Sequence, residues 1–122
     1  MNLRLAPEHL RFRISESELA TLAAGGPLDA AITVADALRL EYQIRTVATA
    51  QSPRGQTMNL SSSYANGAMC LVLTVFGDGL HQLKSGLAGK DGIRESLAFA
   101  NGEMLTVGLE IDLHSKKGAD KS

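Results

Sequence analysis

Apolar residues recur along this chain with two different periods, and the changes of period mark out its elements. Leu10, Phe12 and Ile14 alternate with Arg11 and Arg13, which predicts a strand with one buried face. Leu3 and Leu5 extend the pattern upstream, with Pro7 making the join a bulge or an edge. Ser15 then reads as a helix N-cap. Glu18 completes a capping box: the Ser15 hydroxyl accepts from the Glu18 N–H, and the Glu18 carboxylate accepts from the Ser15 N–H. Leu19, Leu22 and Ala23 form the apolar stripe of this helix, Gly25-Gly26 caps its end and Pro27 forbids continuation. Period two returns in residues 28–35. It is clearest where Leu38, Leu40, Tyr42 and Ile44 alternate with Arg39, Glu41, Gln43 and Arg45.

After a loop over residues 49–56, Met58 and Leu60 open another strand. Asn66-Gly67 is a strong hairpin signal, because a type I′ turn needs positive φ at both central positions. Residues 69–75 are almost unbroken in apolar character, the pattern of a strand buried on both faces. Leu80, Leu83 and Leu87 fall on one face of a second helix, with Asp78 as its candidate N-cap. Gly79 and Gly86 would each cost about 0.8–1 kcal/mol against Ala in its interior, which predicts a short or frayed helix. Asp91-Gly92 turns the chain, and Asn101-Gly102 is a second hairpin signal. Leu105, Val107, Leu109, Ile111 and Leu113 then alternate with polar or small residues.

Laid end to end, these elements repeat. Strand, helix, strand, strand runs from Leu10 to Arg45 and again from Ala68 to Leu113. The expected fold is α+β with approximate internal two-fold symmetry: six to eight mostly antiparallel strands forming a barrel or sandwich, with two short helices over its ends or one face. Residues 1–114 are expected to form one domain. Residues 115–122, charged and built of small side chains, are expected to be a disordered tail.

Composition narrows the function classes. The net charge is −1 and aromatic residues make up 4% of the chain, with no Trp. That leaves no global field for nucleic acid or an anionic membrane and few platforms for base stacking, so neither partner is expected. Cys70 is the single cysteine, which excludes an internal disulfide and fits a reducing cytoplasm. It stands inside an apolar run and reads as an unreactive core thiol. The start of the chain has no apolar segment of signal-peptide type, and no apolar run reaches the roughly 18 residues that span a bilayer.

The opening stretch LRFRISESELATLAAGG resembles a family of small bacterial proteins of unknown function. Their usual start is an L-R-x-R-L strand followed by S/T-x-S-E and a short Ala/Leu helix. That family closes on a strand reading V-E-K-D-F. The corresponding stretch here is LEIDL, with Ile111 in place of the Lys and no Cys following. The resemblance implies a shape and carries no activity.

Five groups of residues are candidates for chemistry. Arg11, Arg13, Arg39 and Arg45 are each the polar partner of an alternating strand. If they share one sheet face, that face sets four guanidinium groups against Glu41 and suits capture of carboxylate or phosphate. The plainer alternative is a solvated sheet face. Glu110 and Asp112 are two apart on a strand and could hold a divalent cation, or could simply pair with arginines of a neighbouring strand. His9, His81 and His114 stand alone, outside any metal-ligand spacing. Gly77-Asp78-Gly79 lacks the third glycine of a phosphate loop and reads as a turn, and Ser61–Ser63 has no adjacent base.

These features predict a non-catalytic binding or assembly domain that needs no cofactor, with a second copy of the chain and a small anion as expected partners. The alternative is a small barrel enzyme or ligand-binding protein that handles an anionic substrate with a divalent cation. The two differ in whether the charged rows face solvent or a concave interior.

Overall fold

The computed structural model describes residues 1–86 and 92–112. Its elements are β1 (Asn2–Ala6), β2 (His9–Ile14), α1 (Glu16–Ala23), β3 (Leu28–Ala35), β4 (Leu38–Thr46), β5 (Met58–Ala65), β6 (Ala68–Val75), α2 (Gly77–Ser85), β7 (Ile93–Ala98) and β8 (Met104–Ile111). Leu87, Asp91, Leu113, His114 and the expected tail over 115–122 lie outside the described residues.

The repeating unit is one strand longer than the pattern suggested: strand, strand, helix, strand, strand. Each unit gives its first hairpin to one sheet and its second hairpin to the other. Sheet A has the order β1-β2-β8-β7 and sheet B the order β3-β4-β6-β5. Hairpins pair antiparallel, and the two units meet along parallel pairs, β2 with β8 and β4 with β6. The sheets are therefore mixed, and the described residues form no closed barrel.

Alternation sends one apolar row of every strand into a shared core. Phe12, Ile14, Val107 and Leu109 come from sheet A, and Ile44, Met58, Leu73 and Val75 from sheet B. The rings of Phe12 and Tyr42 lie 6.4 Å apart across the sheets. Leu22 of α1 and Leu83 of α2 close this core, and the helices touch each other. Both helices lie at the end where β2 and β6 finish and β3 and β7 begin. The hairpin turns lie at the opposite end, where burial thins out.

Local signals explain most boundaries. Ser15 and Glu18 form the reciprocal capping box. At the other end of α1, Gly25 has φ +91°, Gly26 N–H donates to Thr21 C=O at 2.9 Å and Gly25 N–H to Leu22 C=O at 3.0 Å, a Schellman ending. Asn66 and Gly67 have φ of 54° and 79° between Ala65 and Ala68, as a type I′ turn requires.

Other expectations are corrected. Pro7 makes no bulge: Pro7 and Glu8 form a two-residue turn between paired Ala6 and His9, with Glu8 at φ +69°, and β1 before it is an edge strand of sheet A. Ala23 is exposed, so the stripe of α1 is Leu19 and Leu22. Asp78 sits inside the first turn of α2; the N-cap is Phe76, with no side-chain cap, and Gly86 ends the helix in the left-handed region. Strand β6 is not buried on both faces. Leu73 and Val75 point into the core, whereas Cys70 and Val72 share the opposite, half-buried face. Cys70 is therefore not a core thiol.

Candidate functional site

The outer face of each sheet carries the residues offset by one from the core rows. On sheet A the pairing aligns Arg4 with Arg11, Arg11 with Gly108 and Gly108 with Arg94. One rung thus crosses all four strands with three arginines and a glycine. The next rung holds Asn2, Arg13 and Glu110, and the rung on the other side holds Ala6, His9, Thr106 and Ser96. Neighbouring strands lie about 4.8 Å apart, so the arginines of the first rung form a compact cationic row.

Arg13 and Glu110 are joined: Arg13 Nε donates to Glu110 Oε1 at 3.1 Å. Arg4, Arg11 and Arg94 have no hydrogen bond or ion pair among the described residues. Arg4 and Arg11 are directly opposite across an antiparallel pair, where like charges destabilise. The face is an open surface. Around the arginine row it has a notch of about 10 Å³ bounded by Asn2, Arg4, Arg11, Arg13 and Glu110.

The expected arginine set is split by this topology. Arg11 and Arg13 lie on the outer face of sheet A; Arg39, Glu41 and Arg45 lie on the outer face of sheet B. The four arginines do not share a face, because the second hairpin of the first unit joins the other sheet. On sheet B, Arg39 Nε donates to Glu41 Oε2 at 3.0 Å and Gln43 Nε2 donates to Asp29 Oδ1 at 2.8 Å, so these four polar groups satisfy one another. Arg45 is exposed beside Thr74. A depression of about 460 Å³ on this face is bordered by Asp29, Arg39, Glu41, Gln43 and Cys70.

The residues missed from sequence are Arg4 and Arg94. Arg4 lies between Leu3 and Leu5, and Arg94 between Ile93 and Glu95 in a segment read only as a strand. Each is one step out of phase with an inward apolar residue, which would have placed both outward once the register was known.

The remaining candidates separate. Glu110 is engaged by Arg13, and Asp112 lies just past the end of β8 with its N–H donating to Ile14 C=O at 2.7 Å. Among the described residues no group of three His, Cys, Asp or Glu could hold a metal ion. His9 lies on the outer face of sheet A and His81 is exposed on α2. At the start of α2, Gly77 N–H donates to Thr49 C=O at 2.8 Å and Asp78 N–H to Ala50 C=O at 3.0 Å. The donors that a phosphate loop would offer are already used by the loop between the two units. A concavity of about 690 Å³ opens beside Glu8, His9, Phe99, Glu103, Met104 and Thr106 at the hairpin end. Its two carboxylates oppose an anionic ligand.

Glu18 is the titrating group with a distinct environment. Burial pushes its carboxyl up, but hydrogen bonds from the Met1 ammonium and from Ser15, with the ammonium's charge, outweigh burial and hold it below the usual carboxylate range.

Compared with protein-family models, curated proteins and solved structures, the chain matches none of them. Among the described residues no helix is long and apolar enough to cross a membrane.

Proposed function

We propose that this chain is a non-catalytic binding domain that docks an anionic partner on the outer face of sheet A. The observation that carries this reading is the row Arg4, Arg11 and Arg94, aligned on one rung and left without an acidic partner among the described residues. Three arginines fixed on one rung of a sheet suit a partner bearing several carboxylate or phosphate groups. The charged rows point away from the core, which favours binding over the alternative of an anionic substrate and a divalent cation held in a barrel interior. On this reading the two sheets act as a sandwich-like support, Cys70 stays a free thiol in a reducing cytoplasm, and the resemblance to small bacterial proteins supplies the shape alone.

The test is binding of the full chain to polyglutamate and to polyphosphate at low and at physiological salt. Binding that weakens with salt and is lost in Arg4→Ala/Arg11→Ala/Arg94→Ala supports the reading. No binding to either polymer at low salt overturns it.

A second reading, assembly with another copy of the chain, rests on a separate observation. The strands of sheet B outrun those of sheet A, and one rung of its inner face, Ile32, Leu40, Met69 and Tyr64, overhangs the core at the hairpin end. Tyr64 is 63% and Ile32 53% exposed. The rung carries no charge, so two copies could face each other there without burying an unpaired ion. Sedimentation of the wild type and of Ile32→Lys/Tyr64→Lys tests this. A wild type that stays monomeric at high concentration removes the assembly reading and leaves the arginine face untouched.

A further inference from the structure

We infer that Gly108 marks a discrete seat for a phosphate dianion, clasped by Arg11 and Arg94; this deepens the anion-docking reading and rests on it. Gly108 occupies the interior of β8, a central strand paired on both sides. A glycine there weakens the strand, and in such a position it often marks a close approach by a ligand or another backbone. No turn or positive φ requires it, because Gly108 has ordinary extended backbone and a Cβ would fit without a clash. The nearest atoms to that Cβ would be Arg11 Cγ and Arg94 Cγ, each at 3.8 Å, and the Ile93 carbonyl oxygen at 3.8 Å. Gly108 is buried, so the two arginine stems already lie over it from opposite strands, and the seat is the space above those stems. Two arginines that flank one point and have no acidic partner among the described residues repel, and an anion bound between their guanidinium groups would turn that repulsion into two charge-assisted contacts. With Arg4 adjacent on the same rung, the local charge matches a dianion better than a single carboxylate.

Internal symmetry supplies a control. The rung of sheet B equivalent to Arg4, Arg11, Gly108 and Arg94 is Ser61, Val72, Gln43 and Asp29. It occupies the same place in the same scaffold, and there Gln43 fills the glycine position and bonds to Asp29. Neither the glycine nor the arginines are therefore demanded by the fold.

The experiment is calorimetric titration of inorganic phosphate, alongside polyglutamate binding, on the full chain and on Gly108→Val and Gly108→Ala. Valine suits a strand and keeps every arginine, but its methyl groups stand between the two stems. The expected result is phosphate binding by the wild type that weakens by at least about tenfold in Gly108→Val, with polyglutamate binding retained and a melting temperature no lower than the wild type's. Unchanged phosphate affinity in a folded Gly108→Val overturns the seat while leaving the face. So does a wild type that binds polyglutamate but no phosphate. A wild type that binds neither overturns both readings. If Gly108→Val does not fold, Gly108→Ala takes its place with the same two outcomes, since its Cβ enters the same space.

Discussion

Gly79→Ala sets local propensity against packing, and the two predict opposite signs. Gly79 lies in the first turn of α2, where replacing a helical glycine by alanine ordinarily gains about 0.8–1 kcal/mol. Here an added Cβ would stand 2.9 Å from the Thr57 carbonyl oxygen, 3.0 Å from Thr57 Cβ and 3.1 Å from Ile93 Cδ1. Thr57 cannot easily withdraw. Its carbonyl accepts from Phe76 N–H at 2.8 Å, and its hydroxyl donates to Glu95 Oε2 at 2.8 Å. Ile93 is itself buried in the core. Overpacking of this kind costs about 1–3 kcal/mol, and contact with fixed backbone argues for the upper half of that range. Set against the propensity gain, the net expectation is a loss of about 1–2 kcal/mol. Urea unfolding monitored by far-ultraviolet circular dichroism should show a lower midpoint at unchanged slope. A midpoint that rises would mean that Thr57 and Ile93 yield freely, and the packing argument would fail.

Other perturbations probe separate contacts. Ser15→Ala should cost about 0.5–2 kcal/mol in denaturant unfolding, since the Glu18 N–H loses its acceptor. Glu95→Ala should cost about 1.5–3 kcal/mol, because its carboxylate accepts from both the Thr57 N–H and hydroxyl and ties the loop between the units to β7; a loss below about 0.5 kcal/mol, the size of a neutral surface change, would refute that role. The Glu18 carboxyl is held low in the folded chain. Its contribution is therefore full above the unfolded carboxylate range and is lost as pH falls through the lower folded value; Glu18→Gln should flatten the acid limb of melting temperature against pH. Cys70, half-buried on an outer face, should react with a thiol reagent without denaturant, and complete protection would contradict its placement.

Where the sequence was legible, a local cause sufficed. The capping box, the glycine ending of α1 and the Asn66-Gly67 turn each depend on residues a few positions apart, and each forms as its residues predict. Strand faces were legible for the same reason: a period of two in β2 and β4 assigns inward and outward residues without knowledge of any partner. Pairing was not. Nothing local says that β2 lies beside β8 and not beside β4, so the split of the arginines and the arrival of Arg4 and Arg94 could not be read. In β6 the continuous apolar run conceals an ordinary alternation. Val72 is apolar although it faces outward, and the apolar neighbours of Cys70 in sequence lie on the opposite face of the strand.

The two units of this fold show which features the scaffold demands. Equivalent inward positions stay apolar: Phe12 and Leu73, Ile14 and Val75, Leu22 and Leu83, Ile93 and Leu28, Leu109 and Ile44. The helix starts diverge. At the third position of α1 stands Glu18, which caps with Ser15; at the third position of α2 stands Gly79, with no side-chain cap at all. The loop between the units explains the difference. Its carbonyls at Thr49, Ala50 and Thr57 take the N–H groups of Gly77, Asp78 and Phe76, so α2 needs no capping side chain and has no room for one. The helix end is thus used for joining the units, and the edges and inner faces are used for the core. Only the outer faces remain free to differ. There sheet B joins Arg39 to Glu41 and Gln43 to Asp29, while sheet A has three aligned arginines and a glycine without such a pairing among the described residues. With those inward positions apolar in both units, the outer rung of three arginines and a central-strand glycine is not accounted for by the core, and it is there that the proposed anion site lies.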